Sequence, residues 1–274
     1  MARVLALSSH VAFGSVGLAA IVPALQSLGH EVVAVPTVVL SNHPGYSAFS
    51  GDQIAPATLD QIVDALDANG WLPTLDAVLT GYLPTPGHVA TAKAAVMRVR
   101  AANPAAIFVC DPVFGDDPGG LYLEEATAAA IRRHLLPLCD VATPNLFELA
   151  WLSGRAVGDL DTAVSAARAL ECPNVLATSI PAPGNRLATI LVGAGDALAC
   201  YVPRRPAAPH GTGDLLAALY LGHVLSGTAP EASLGRAVAA VESCIAASAG
   251  RDELSLAAAT KTWEGAQPLP TAPI

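Results

Sequence analysis

Short apolar runs alternate along the chain with longer segments whose apolar positions recur every three or four residues. RVLALS (3–8), EVVAVPT (31–37), DAVLTG (76–81), AIFVCD (106–111) and DVAT (140–143) are rich in Val, Ile and Leu, and each ends at a polar or turn residue. They read as buried β-strands. Helical patterns fill the intervals near 16–28, 58–69, 86–101 and 124–135, the last opening at Glu124-Glu125. Repeated strand–helix alternation predicts a mainly parallel sheet covered on both faces, a three-layer α/β/α sandwich.

The later chain changes character. NVLATS (174–179) reads as a further strand, and ATILVG (188–193) and ALACYV (197–202) flank Ala194-Gly195-Asp196. That pair predicts an antiparallel hairpin on the sheet edge. From Asp214 onward helices are predicted over 214–226, 229–249 and 252–264, and from about 263 the chain turns Pro-rich, ending in the extended tail QPLPTAPI. No internal repeat or shift of composition divides the chain, so one domain over 1–274 is expected.

In open sheets of this type ligands bind beyond the carboxyl ends of the strands. Polar residues gather at those ends: Ser9-His10, Thr37, Thr80-Gly81-Tyr82, Asp111, Thr143 and Thr178-Ser179. The distribution predicts a crevice there.

Composition narrows the partner. Hydrophobic residues make up 53% and charged residues 14%, which excludes disorder. The net charge of −9 argues against nucleic acid, whose phosphates need a basic face. An anionic ligand would have to be held by backbone N–H groups. The five cysteines are scattered with no C-x-x-C pair, and read as reduced residues of a cytoplasmic protein rather than a disulfide framework or zinc site. MARVLALSSHVAFG imitates a secretion signal only briefly, because Ser8, Ser9 and His10 interrupt the apolar run; a buried first strand is the better reading. No apolar stretch reaches the ~18 residues of a membrane helix, and a soluble protein is expected.

PHGTGDLLAAL (209–219) holds the densest candidate chemistry. As punctuation, Gly211 and Gly213 would allow a tight turn, Thr212 or Asp214 would cap a helix, and the following run would bury its apolar face. As chemistry, a glycine-lined helix start offers unpaired N–H groups and the positive end of the helix dipole to an anionic oxygen. Asp214 would then stand beside a bound phosphoryl group, placed to take the proton of an attacking hydroxyl. There is no G-x-x-x-x-G-K-[ST], and Leu216 replaces the third glycine of G-x-G-x-x-G late in the chain, which disfavours a Walker loop and a Rossmann dehydrogenase.

Taken together, these motifs resemble the ribokinase-like superfamily and, within it, the pyridoxal kinases. SSHVAFGSVGLAA (8–20) is similar to the family's S-H-V-x-x-G-x-V-G opening, and LSNHPGYS (40–47) to its S-N-H-T-G-Y segment. TGYL (80–83), CDPVFGD (110–116) and ATPNLFEL (142–149) follow in the family's order, and PHGTGDLLAAL supplies the superfamily's anion-hole signature. The resemblance runs from residue 3 to about 256. It implies phosphoryl transfer from ATP to the 5′-hydroxymethyl group of a vitamin B6 vitamer such as pyridoxal.

Carried over by position, the resemblance makes Asp214 the general base, with the amides of Gly211, Thr212 and Gly213 as the anion hole. It places Ser9 and Tyr82 against the pyridine ring, and His43, Pro44 and Gly45 in a loop over the substrate. Asp111, Thr143, Asn145, Glu148 and Thr178 fall to the nucleotide, with His210 a candidate contact because it adjoins Gly211. Asp111, Asp116 and Glu148 fall to Mg²⁺, and a monovalent cation is a further option. From the residues alone Ser9 could equally cap the first helix, Tyr82 could be an ordinary strand-end residue, Asp116 and Asp117 could form a solvated turn, and Glu148 could sit on a surface helix. The resemblance also implies a homodimer.

Departures from the family pattern bear on specificity. Pro44 stands where Thr is frequent, which removes a hydroxyl and stiffens the loop. Leu18 replaces the usual Asn, Phe114 fills a slot often held by Met or Leu, and Thr178 has no neighbouring Lys of the kind some relatives carry. His30, His88, His134 and His223 show no metal-ligand spacing. The alternatives are a kinase of the same fold acting on hydroxymethylpyrimidine or a sugar, and a non-catalytic protein that binds the vitamer.

Overall fold

The computed structural model describes residues 1–205, 208–263 and 265–274. Six strands form a parallel core: β1 (Arg3–Val11), β2 (Glu31–Leu40), β4 (Ala77–Thr80), β5 (Ile107–Cys110), β8 (Val141–Ala142) and β9 (Asn174–Ala182). Antiparallel strands extend both edges. On one side stand β10 (Arg186–Val192), β11 (Ala197–Pro203) and β12 (Thr271–Pro273), on the other β3 (Gly51–Gln53). The order is β12-β11-β10-β9-β8-β5-β4-β1-β2-β3, and β6 (Gly115–Asp116) and β7 (Gly120–Leu121) make a separate two-stranded ribbon.

Strand residues are buried on both faces, and the two-residue alternation sorts them between two cores. Val4 and Ala6 of β1 face one cluster with α1 (Leu18–Ser27), α7 (Thr212–Leu225), α8 (Pro230–Ala247) and α9 (Leu256–Trp263). Leu5 and Leu7 face the other, with α2 (Pro56–Ala68), α3 (Pro86–Ala102), α4 (Glu125–His134), α5 (Leu146–Ser153) and α6 (Leu160–Arg168). Helix α7 is buried without interruption from Leu215 to Gly222, so it shows no polar stripe and lies wholly inside the layer between α1 and α8.

The observed elements depart from the sequence pattern in ways that matter for the site. Strand β1 continues to Val11 through a register shift between Ser8 and His10, so Ser9 lies within the strand and does not cap α1, whose N-cap is Gly17. Helices α5 and α6 were not legible as elements. The first is eight residues long, and the second buries only Ala163, Ala166 and Ala167, a face too weakly apolar to stand out. Helix α9 begins at Leu256, not 252, and the predicted end at 264 lies outside the described residues. The Pro-rich terminus is extended but not a free tail, because Thr271, Ala272 and Pro273 pair with Cys200, Ala199 and Leu198. The hairpin 188–193/197–202 forms as β10 and β11.

Candidate functional site

The amino end of α7 meets the carboxyl ends of β1, β4, β5 and β8. Gly211 is the N-cap with φ 92, and a Cβ there would stand 1.9 Å from the Ser15 carbonyl oxygen. Only glycine allows both the left-handed turn and this approach. A Cβ on Gly213 would meet no atom within 4 Å, so the space beside this residue of the first turn is open. The amides of a first helical turn have no partner inside the helix, and the dipole adds positive potential there.

Asp214 sits in that first turn. Burial raises its pKa to about 6, partly countered by the Gly17 backbone N–H that donates to it. Gly81 is pressed between neighbours: a Cβ would lie 2.4 Å from Ser8 Oγ and 3.6 Å from Asp214 Oδ1. The next residue, Tyr82, is clamped at its backbone, its N–H donating to Ser8 Oγ (3.2 Å) and its carbonyl accepting from Thr37 Oγ1 (2.7 Å). Ser9 Oγ would be 2.3 Å from a Cβ on Gly17, a glycine with φ 56. Thus Ser9, Tyr82 and Asp214 share one wall.

A second wall is acidic. Asp111, just beyond β5, is buried and accepts from Thr143 Oγ1 at 2.9 Å. Burial pushes its carboxyl well above the ordinary range, and the charges of Asp214 and Glu148 push it further. Glu148 is also buried, and its pKa rises to about 7 through desolvation, against the lowering effect of amides from Asn145, Phe114 and Gly115. Those amides reveal its local job. Glu148 Oε2 accepts from Asn145 N–H and Oε1 from Phe114 N–H, both at 2.9 Å, while Asn145 Oδ1 accepts from Glu148 N–H at 3.0 Å. This capping box starts α5 and also fixes the 113–115 loop, where Val113 holds φ 40 and Asn145 Nδ2 donates to the Gly115 carbonyl at 2.7 Å. Glu148 is therefore not on a solvated helix face. Asn145 forms a parallel bridge with Thr178, bringing the end of β9 alongside.

Asp116 is exposed, yet its charge reaches both Glu148 and His43. Among the described residues no three His, Cys, Asp or Glu side chains are arranged to enclose a metal ion. With Glu148 occupied by amides, the donor set is Asp111 plus outlying carboxylates. That set fits Mg²⁺, which keeps several waters and takes phosphate oxygens as ligands.

The third part is the loop 41–50. His43 stacks on His210 with ring centroids 3.9 Å apart and planes at 19°, so His210 faces the loop. Gly45 N–H donates to His43 Nδ1 (3.0 Å), and Pro44 faces solvent. Burial and the His210 charge lower the His43 pKa. Tyr46 OH donates to Glu253 Oε1 (2.8 Å), Ser15 N–H donates to Glu253 Oε2 (3.1 Å), and Glu253 forms a bridge with His210. Glu253 thus joins the loop and the turn before α1 through its carboxylate, and the segment leading into α7 through its backbone. A cleft of about 820 Å³ opens beside it, lined by Gly45, Tyr46, Arg205, His210 and Arg251 among others.

The residues singled out from sequence fall in these three parts, with Pro44, Gly45, Asp116 and Gly213 among the exposed ones. Glu253, Tyr46, Ser8 and Tyr122 were missed. Tyr122 carries a strongly raised pKa through burial of its hydroxyl end and the charges of Glu148, Asp111, Asp214 and Asp116, although about half of the residue is exposed. The spacing of its neighbours in CDPVFGDDPGGLY offered a signal, since a loop that returns to its own start brings Tyr122 beside Phe114.

Residues 13–256 match the family model described as phosphomethylpyrimidine kinase. Pyridoxal kinase PdxY of Deinococcus radiodurans is 38% identical over 276 residues, covering 96% of this chain and 93% of that protein. The chain belongs to the pyridoxal kinases of this family. Among solved structures, pyridoxal kinase from Leishmania donovani in complex with ADP and pyridoxamine superposes with a TM-score of 0.94 at 32% identity, over 100% of both chains. A putative phosphomethylpyrimidine kinase from Bacteroides thetaiotaomicron, crystallised with pyridoxal, gives 0.90 at 25% identity, over 100% of this chain and 99% of that one. The α/β sandwich with its parallel core is thus the pyridoxal kinase fold. The span matched by the family model includes every candidate site residue except Ser9. No helix among the described residues is long and apolar enough to cross a membrane.

Proposed function

We propose that this chain transfers the γ-phosphoryl group of ATP to the 5′-hydroxymethyl oxygen of pyridoxal, giving pyridoxal 5′-phosphate and ADP, with pyridoxine and pyridoxamine as further acceptors. The observation that carries the reading is the partly buried Asp214 carboxylate in the first turn of α7, beside open amides and the Ser9/Tyr82 wall. A base with a pKa near 6 is ionised at neutral pH yet still basic enough to take a proton in the transition state.

In this reading the vitamer ring lies against Ser9 and Tyr82, with the hydroxymethyl group toward Asp214. The O–P bond forms as the γ–β bridge breaks, the hydroxyl proton passes to Asp214, and the Gly211, Thr212 and Gly213 amides hold the equatorial oxygens. Thr143, Asn145, Thr178 and His210 serve the nucleotide. Asp111 would hold Mg²⁺, with Asp116 and Glu148 acting through waters, and the ion's chemistry there would be to neutralise phosphate charge. His43, Pro44 and Gly45 cover the vitamer and exclude water, with Glu253 anchoring their loop through Tyr46. A single domain, from the unbroken composition, a cytoplasmic location, from the scattered cysteines, and a homodimer, from the family resemblance, complete the proposal.

Pro44 and the family model's description favour a second reading, hydroxymethylpyrimidine as acceptor. A panel of pyridoxal, pyridoxine, pyridoxamine and hydroxymethylpyrimidine with ATP and Mg²⁺ separates them. The highest kcat/KM is expected for pyridoxal. A higher value for hydroxymethylpyrimidine would transfer the assignment to the second reading, and no phosphate ester from any of them would leave a binding protein.

A further inference from the structure

At the end of the sheet opposite the acidic wall, Cys139 and Cys172 stand just ahead of the neighbouring parallel strands β8 and β9, with their sulfurs 3.1 Å apart. Val141 lies opposite Asn174 in that pair, and each cysteine is two residues upstream. They therefore lie at matching positions just before the first paired residues of two neighbouring strands. Adjacent strands run roughly 4.8 Å apart, within the ~4.4–6.8 Å Cα separation a disulfide accepts. Closing the bond needs the sulfurs to approach by only about 1 Å.

We propose that Cys139 and Cys172 form a reversible dithiol–disulfide couple, oxidised by a low-molecular-weight disulfide such as glutathione disulfide. The two thiols are unlike. Cys172 is partly exposed, whereas Cys139 is buried and its Sγ donates to the Leu136 carbonyl at 3.0 Å. The sulfur–sulfur contact lowers the Cys172 pKa, while the same contact and burial raise that of Cys139. Cys110, Cys200 and Cys244 are all buried with thiols pushed up by desolvation. Cys172 is thus the attacking thiolate and Cys139 the resolving thiol.

The Cys172 thiolate attacks one glutathione sulfur, forming a mixed disulfide and releasing glutathione thiolate. Cys139 gives up its proton to that thiolate and attacks the Cys172 sulfur, displacing the second glutathione. Two protein thiols lose two electrons, and one disulfide becomes two thiols. The bond would close a loop spanning 33 positions that carries Thr143, Asn145 and Glu148.

The test uses the folded full-length chain treated with glutathione disulfide, alkylated in denaturant and mapped by peptide mass. A Cys139–Cys172 cross-link, reversed by dithiothreitol, is expected, with Cys110, Cys200 and Cys244 alkylated. Because the bond constrains the unfolded chain, the oxidised form should also melt at a higher temperature. In Cys139→Ser, Cys172 should stop at the glutathione adduct. Both thiols remaining alkylatable, glutathione retained on Cys172 of the parent protein, or a different cysteine pair would each overturn the proposal.

Discussion

The role proposed for Asp214 comes at the expense of the fold. Its folded pKa near 6 lies above the ordinary 3.8, so the folded state prefers the neutral carboxyl. Ionisation therefore removes stability, beginning as pH rises past about 4 and complete above about 7. Asp214→Asn should melt higher than the parent at pH 8, by about 3 kcal/mol in stability at most, with the gain vanishing toward pH 4 in thermal scans. The same carboxyl predicts that kcat/KM of the parent falls on the acid side with a midpoint near 6. Asp214 was legible because glycines and a buried helix surround it in sequence. Glu253 was not, since its partners Tyr46 and Ser15 are 207 and 238 positions away.

Two glycines, one turn of α7, separate structural from chemical demand at the scale of the element. Gly211→Ala meets a backbone oxygen at 1.9 Å in a left-handed conformation and should cost about 1–3 kcal/mol or more, lowering both Tm and turnover. Gly213→Ala meets nothing in the protein and should keep its Tm while turnover falls, because the added methyl enters the open space beside the first turn. Circular-dichroism melts beside steady-state rates decide this pair. For the loop 41–50, Glu253→Gln should raise KM for the vitamer more than it lowers kcat, and Tyr46→Phe should reproduce part of that effect. Equal losses of kcat and kcat/KM would contradict an anchoring role. Helices α5 and α6 escaped the pattern for different reasons, α5 because it is only eight residues long and α6 because it buries just three alanines, yet α5 carries the capping box that shapes the acidic wall.

The whole molecule is a two-core sandwich whose strand–helix alternation was readable from periodicity, since nearly every parallel strand is a continuous apolar run. The edges were not: β3 has three exposed residues, and β12 lies in a Pro-rich stretch that earns its strand only by pairing with β11. Across this sheet one end concentrates three carboxylates, Asp111, Glu148 and Asp214, all with raised pKa values. Each takes up protons on folding, so the ligand-free protein should lose stability as pH rises from about 4 through about 7. ADP with Mg²⁺ should raise Tm more at pH 8 than at pH 6, when the carboxylates it meets are charged; an equal rise at both would show that they do not face the ligand.

Single-turnover formation of pyridoxal 5′-phosphate, measured for the parent and Asp214→Asn with ADP affinity determined alongside, tests the site most directly. The transfer rate should fall by ~10²–10⁴ with ADP affinity little changed. A variant that transfers at nearly the parent rate would show that another group receives the proton.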